Sequence, residues 1–154
     1  MKHLPRTAAI IAGMAIMAAL AAYAYQASLI SSSDLINPDE LVKILQSTKA
    51  TKPLILQVGP HILYLQAHIP GAEYIGSASD PQGVQRLRTR VQSLSRGEFI
   101  VIYCGCCPWN HCPNVKLAHD ALREMGFTKV KALYIAENFG GNWVVQGYPT
   151  AKGE

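Results

Sequence analysis

A short apolar run, Phe99-Ile100-Val101-Ile102-Tyr103, leads into nine residues that hold every cysteine of the chain, and these lead into an amphipathic pattern starting near Pro113. A run of this kind, bounded by turn residues, reads as a buried strand. Beyond the cysteines, Val115, Ala118, Ala121, Leu122 and Met125 form one stripe at helical spacing, and Lys116, Asp120, Arg123 and Glu124 the opposite one. Gly126 fits the residue just past the helix end. The chain is thus bound to make a strand, a loop and a helix in succession. A thiol at the strand end faces the start of the next helix, where free amide groups and the helix dipole favour a thiolate.

The same alternation runs through the rest of the chain. Asn37-Pro38-Asp39-Glu40 reads as a helix start, with Asn37 as N-cap, Pro38 in the first turn and Glu40 reaching back. Leu41, Ile44 and Leu45 give that helix its apolar face. Leu54 to Val58 reads as a short buried strand. Asp80-Pro81 opens a second helix whose Val84, Leu87, Val91 and Leu94 share a face, and Arg96-Gly97 ends it. Val130 to Ile135 alternates as a strand, and Gly140-Gly141 marks a turn before a short helical piece carrying Trp143. Strands alternating with helices predict an α/β domain with a mostly parallel sheet covered on both faces. Ligands of such sheets bind at the carboxyl ends of the strands, where Cys104 sits.

The N-terminal segment reads differently. Lys2, His3 and Arg6 make a basic start, Ala8 to Ala24 is apolar and alanine-rich, and Ala22-Tyr23-Ala24 offers an A-x-A cleavage site. Residues 1–24 are therefore expected to be a signal peptide, with an uncleaved inner-membrane anchor as the alternative. Residues 25–36 are expected as linker and 37–152 as one domain. Export would put the cysteines in an oxidising compartment, expected to be a bacterial periplasm. The net charge of +4 is too small for a nucleic-acid footprint. Arg86, Arg88, Arg90 and Arg96 are read as a solvated helix face. Contact with membrane is expected only if the leader stays attached.

Three segments carry a resemblance to a known family. His68-Ile69-Pro70-Gly71-Ala72, the strand Ile100-Val101-Ile102-Tyr103 ending in Cys104, and Trp143 followed by Gly147-Tyr148-Pro149 occur in the order seen in rhodanese domains. With the elements around them, the resemblance covers roughly Leu41 to Pro149. The resemblance implies a single rhodanese-like domain that carries sulfane sulfur as a persulfide on Cys104 and passes it to a thiophilic acceptor. It implies no cofactor. Its expected partners are a small sulfur donor and a thiol acceptor, with room for a protein partner. A persulfide anion needs amide donors around it, and a tight loop entering a helix is expected to supply them.

The chain also departs from that family. Gln57-Val58-Gly59 stands where rhodanese sheets usually carry D-V-R, and the loop after Cys104 has no Arg or Lys before Lys116. Position 110 is Asn, so the C-x5-R clamp of phosphatase relatives is absent and phosphate-ester chemistry is not expected.

The remaining cysteines admit three readings. Cys106, Cys107 or Cys112 would resolve the persulfide as a disulfide. Alternatively, Cys106, Cys107, His111 and Cys112 would supply soft ligands to Zn²⁺ or Cu(I) in a non-catalytic metal-binding or partner-binding module. In the third reading the loop holds structural disulfides. Gly105, Trp109, Asn110 and His111 complete the loop and pocket set. Trp109 is expected to wall a pocket or cover apolar surface, His111 to be a base, a ligand or a solvated side chain, and His68 to shape the turn before Pro70. Cys104 is expected to hold the largest thiolate fraction of the four.

Overall fold

The computed structural model describes residues 30–154, so the leader and its A-x-A site lie outside the described residues. Among the described residues no helix is long and apolar enough to cross a membrane. Ser31 to Glu154 forms one compact unit built around a five-stranded sheet. In chain order its strands are β1 (Leu35–Ile36), β2 (Leu54–Gln57), β3 (Glu73–Tyr74), β4 (Phe99–Tyr103) and β5 (Lys129–Leu133). They lie in the order β1-β5-β4-β2-β3, and every pairing is parallel. The helices are α1 (Pro38–Gln46), α2 (His61–Gln66), α3 (Pro81–Val91) and α4 (Pro113–Glu124), followed by a short helical turn over Gly140–Val144.

Alternation along β4 divides the core. Val101 and Tyr103 face a cluster with Leu41, Val42, Tyr64, Ile69, Phe139 and Trp143, which covers one side of the sheet with α1, α2 and the last turn. Ile100 and Ile102 point the other way and are fully buried. There α4 packs on β4 and β5, and α3 packs on α4. The expected α/β fold with helices on both faces is therefore what the chain forms.

Local chemistry accounts for the element ends. The Asn37 N–H donates to Glu40 Oε2 at 2.9 Å, closing the reach-back expected at the start of α1. Asp80 Oδ1 accepts from Gln82 N–H at 2.9 Å and starts α3. Gly126, at φ 88°, ends α4 in the left-handed region that glycine enters without strain.

Five details differ from the sequence reading. Leu35–Ile36, expected as linker, is an edge strand paired with Ala132 and Leu133. Helix α3 stops at Val91 rather than at Arg96, and β5 ends at Leu133 rather than at Ile135. The last helical turn includes Gly140 and Gly141 instead of following them. Finally, α2 and β3 are elements that no periodicity announced.

Strand β4 is the middle strand, with β2 on one side and β5 on the other. Its carboxyl end therefore opens between two neighbouring strand ends and the start of α4. The chain presents Cys104 at this point.

Candidate active site

Cys104 follows directly on β4 and is 2% exposed. Gly105 comes next at φ 73°, and a Cβ there would stand 2.6 Å from the Phe139 Cβ. Only glycine allows the chain to turn this sharply while passing so close to Phe139. The Gly105 carbonyl then accepts from the Phe139 N–H at 3.0 Å, and the Trp109 N–H reaches the Ala136 carbonyl at 3.0 Å. These bonds fold the loop over the end of β5.

The turn gathers the thiols. Cys104 Sγ lies 3.2 Å from Cys106 Sγ, and Cys106 Sγ lies 3.1 Å from Cys107 Sγ. The sulfurs of Cys104, Cys106 and Cys112 all fall within 4.8 Å of one another. All four cysteines are free thiols in this structure.

Beneath the thiols lie two polar side chains that the sequence reading did not name as site residues. Asn114 is buried at 4% exposure in the first turn of α4. Its Nδ2 donates to Cys104 Sγ at 3.3 Å and faces Cys106 Sγ at 3.9 Å, while its Oδ1 accepts the Ser79 N–H at 2.8 Å. Gln57, 1% exposed, accepts the Gly59 N–H at 3.2 Å and offers its Nε2 to the Cys104 carbonyl at 3.5 Å. Gly59 packs so tightly under the site that a Cβ on it would stand 2.6 Å from Cys104 Sγ. The space that a side chain at position 59 would need is thus filled by the Cys104 sulfur. The donors on Cys104 are the Asn114 amide and the Cys106 N–H rather than the expected ring of loop amides. A signal for Asn114 did exist. It stands four residues before Ala118, on the buried stripe of α4, where a polar side chain needs a partner.

The charge settles differently from the sequence expectation. Hydrogen bonds from the Cys104 thiol, the Val115 N–H, the Cys107 thiol and the Asn114 N–H bring Cys112 down to about 5, against the upward push of burial. Cys104 moves upward, because its thiol is hydrogen-bonded to Cys112 and because it is buried. Burial and the neighbouring thiols push Cys107 up to about 12. Cys112, at the cap of α4, is thus drawn toward the thiolate and Cys104 toward the thiol, the opposite direction to the one expected from the strand end alone.

Outside the thiols, a cavity of about 370 Å³ opens onto Cys106 and Gly105. Leu63, Ala67, Phe139 and Val144 give it apolar walls, Gln66 and Asn138 polar ones, and no charged side chain lines it. Trp109 stands outside this cavity, with its ring 5.2 Å from that of Tyr134, so it covers apolar surface rather than walling the pocket. Asn110 and His111 are exposed. His111 also lies outside the sulfur cluster, so the ligand set Cys106, Cys107, His111 and Cys112 does not assemble. His68 Nδ1 pairs with the Tyr64 carbonyl at 2.8 Å and its ring stacks on Tyr64, which fixes the turn before Pro70. Trp143 is fully buried. The helix-face arginines point to other partners: Arg86 to the Ile75 carbonyl, Arg88 to Glu124 and Arg90 to Glu73.

No protein-family model and no curated protein matches the sequence. Solved structures do. The rhodanese-like domain of the Alr3790 protein from Anabaena sp. superposes with a TM-score of 0.58 at 22% identity, over 77% of this chain and 79% of that one. The BH2092 protein from Bacillus halodurans gives 0.59 at 19% identity, over 87% and 84%. A thiosulfate sulfurtransferase from Pseudomonas aeruginosa gives 0.54 at 24% identity, over 79% of this chain but only 20% of that one. The parallel sheet order, the thiol at the end of its middle strand and these superpositions agree: the domain has the rhodanese-like fold.

Proposed function

We propose that this domain is an exported sulfurtransferase that carries sulfane sulfur as a persulfide on Cys104, with Cys106 as the exchange partner. The observation that carries the reading is the 3.2 Å approach of Cys106 Sγ to Cys104 Sγ at the carboxyl end of β4. Two sulfurs at that distance need only a small shift to bond. Cys106 lies at the cavity, while Cys104 is shielded behind it.

The steps balance without a cofactor. Cys104 passes its proton to the neighbouring Cys112 thiolate and attacks the outer sulfur of a persulfide donor, R–S–SH, and the R–S⁻ thiolate leaves with the electron pair of the broken S–S bond. This gives Cys104–S–SH. An acceptor thiolate then takes the outer sulfur and Cys104 returns as thiolate. Alternatively, the Cys106 thiolate attacks the inner sulfur, forming a Cys104–Cys106 disulfide and releasing hydrosulfide. A dithiol reductant must then restore both thiols. The Asn114 amide donates to the sulfur that bears charge in either route.

The test is intact mass after the reduced protein meets a persulfide donor. A gain of one sulfur on wild type and on Cys106→Ser, and none on Cys104→Ser, supports the reading. Retention of the added sulfur by Cys104→Ser removes Cys104 as carrier. A rhodanese-like fold with no sulfur uptake in any form removes the transfer function.

A further inference from the structure

The geometry points to a second use of the same loop: Cys104, Cys106 and Cys112 form a three-sulfur site for one Cu(I) ion. The reading stands apart from sulfur transfer, because it rests on the arrangement of the sulfurs and is read as metal occupancy.

The three Sγ atoms lie within 4.8 Å of one another, and they are the set of metal-ligating groups that the described residues bring together. A metal–sulfur bond of about 2.3 Å puts three sulfurs in a trigonal plane about 4 Å apart. Cys104 and Cys106, now 3.2 Å apart, would separate by about 0.8 Å to accept an ion between them. Cys106 follows Gly105, which gives the chain at that point its freedom to turn.

The donor set selects the ion. It holds sulfur alone, and soft thiolates select Cu(I). Structural Zn²⁺ takes four ligands; among the described residues Cys107 Sγ, although 3.1 Å from Cys106 Sγ, is not within 4.8 Å of all three thiols, and no histidine or carboxylate joins them. Nor does the amide of Asn114 complete a tetrahedron, because its oxygen is held by the Ser79 N–H and its nitrogen faces Cys104. That amide instead orients a ligand from behind, as outer-shell partners do. The cavity beside Cys106 supplies the entry path.

The decisive experiment titrates the reduced full chain with Cu(I) against a competing chelator, without oxygen. One Cu(I) per chain is expected, with X-ray absorption showing three sulfur neighbours. Cys104→Ser, Cys106→Ser and Cys112→Ser should each weaken binding about 100-fold or more, while Cys107→Ser and His111→Ala should change it less than about threefold. One equivalent of Cu(I) should also block alkylation of all three ligand thiols, and the chelator should restore it. Four outcomes overturn the site: no uptake by wild type, equal loss in Cys107→Ser or His111→Ala, a coordination shell without three sulfurs, or Zn²⁺ bound more tightly than Cu(I). The absorption measurement on wild type decides the matter even if a cysteine variant folds poorly.

Discussion

Asn114 holds Cys104 from the far side of the loop: its Nδ2 lies 3.3 Å from Cys104 Sγ while its Oδ1 is fixed by the Ser79 N–H at 2.8 Å. The second bond sets the amide so that a donor, not an acceptor, meets the sulfur. Asn114→Asp keeps the acceptor for Ser79 and replaces the donor with negative charge. A hydrogen bond to a charged group is worth about 1.5–3 kcal/mol, so persulfide formation on Cys104 should slow about tenfold or more. The thermal midpoint should move by only a few degrees, because the Ser79 contact survives. Timed intact mass and a melting curve on the same sample check both. A rate equal to wild type would show that the amide contributes nothing to the sulfur.

The strand, the loop and helix α4 were legible because each carries its own signal. Five apolar residues in a row, four cysteines and a stripe at helical spacing leave little choice of structure. The box of Asn37 and Glu40 was legible for the same reason. Leu35–Ile36 and Glu73–Tyr74 were not, since a two-residue strand has no period to read. Their pairing comes from the sheet beside them. Helix α2 spans only His61 to Gln66, too short for a repeating face. The gathering of thiols was legible from spacing, but their charge was not. That depends on Cys112 standing at the cap of α4 while Cys104 is sealed beneath Cys106, and both facts are tertiary.

That arrangement sets an order of reactivity. In the reduced, metal-free protein, Cys112 should be alkylated first as pH rises, beginning near its value of about 5. It is half-buried, so reagent can reach it. Cys104 should react last, being both buried and shifted upward. Peptide mapping after short pulses of iodoacetamide between about pH 4 and 9 reads the order directly. Labelling of Cys104 before Cys112 would reverse the assignment.

Gly59 should tolerate no side chain while Cys104 is present. A Cβ there would meet Cys104 Sγ at 2.6 Å and Gln57 Nε2 at 3.0 Å, all in a buried setting. Overpacking of this kind costs about 1–3 kcal/mol. Removing the sulfur with Cys104→Ala should return a good part of that loss to the Gly59→Ala protein. Denaturant unfolding of both single variants and the double variant forms the cycle. Costs that simply add would show that the two positions do not touch.

Glu73 and Arg90 join β3 to α3 through two hydrogen bonds of 2.5 and 2.8 Å. The Arg90 guanidinium holds the Glu73 carboxyl below its ordinary value of 4.5. Because the folded value is the lower one, the pair's contribution is present above the ordinary carboxylate value and is lost as pH falls through the folded one. Both side chains are more than a third exposed, so the contribution at neutral pH should not exceed about 1 kcal/mol. Glu73→Gln should destabilise by up to that amount at pH 7 and by progressively less in acid. A difference that grows as pH falls would contradict the pairing.

Substrate choice follows from where the positive charges are. No charged side chain lines the cavity at Cys106, and the nearby helix places Arg86, Arg88 and Arg90 on other partners. An anionic donor therefore relies on the Asn114 amide, the Cys106 N–H and the start of α4. A helix terminus supplies about 0.3–1 kcal/mol, less than a charge-assisted bond to arginine. The deficit falls hardest on thiosulfate, a dianion that must give up its water to enter an apolar-walled pocket. Persulfide and polysulfide donors carry less charge and react by thiol exchange. Turnover with thiosulfate and cyanide should thus be poor beside transfer from a persulfide donor. Both rates must be measured on one sample, reduced and then freed of reductant, because oxidation of Cys104 to a disulfide would lower both together. Replacing Gln66 on the cavity wall by arginine should raise the thiosulfate rate more than the persulfide rate. Equal rates in the wild-type protein would mean that a cation reaches the pocket during turnover, and Arg86→Ala would then lower the thiosulfate rate alone.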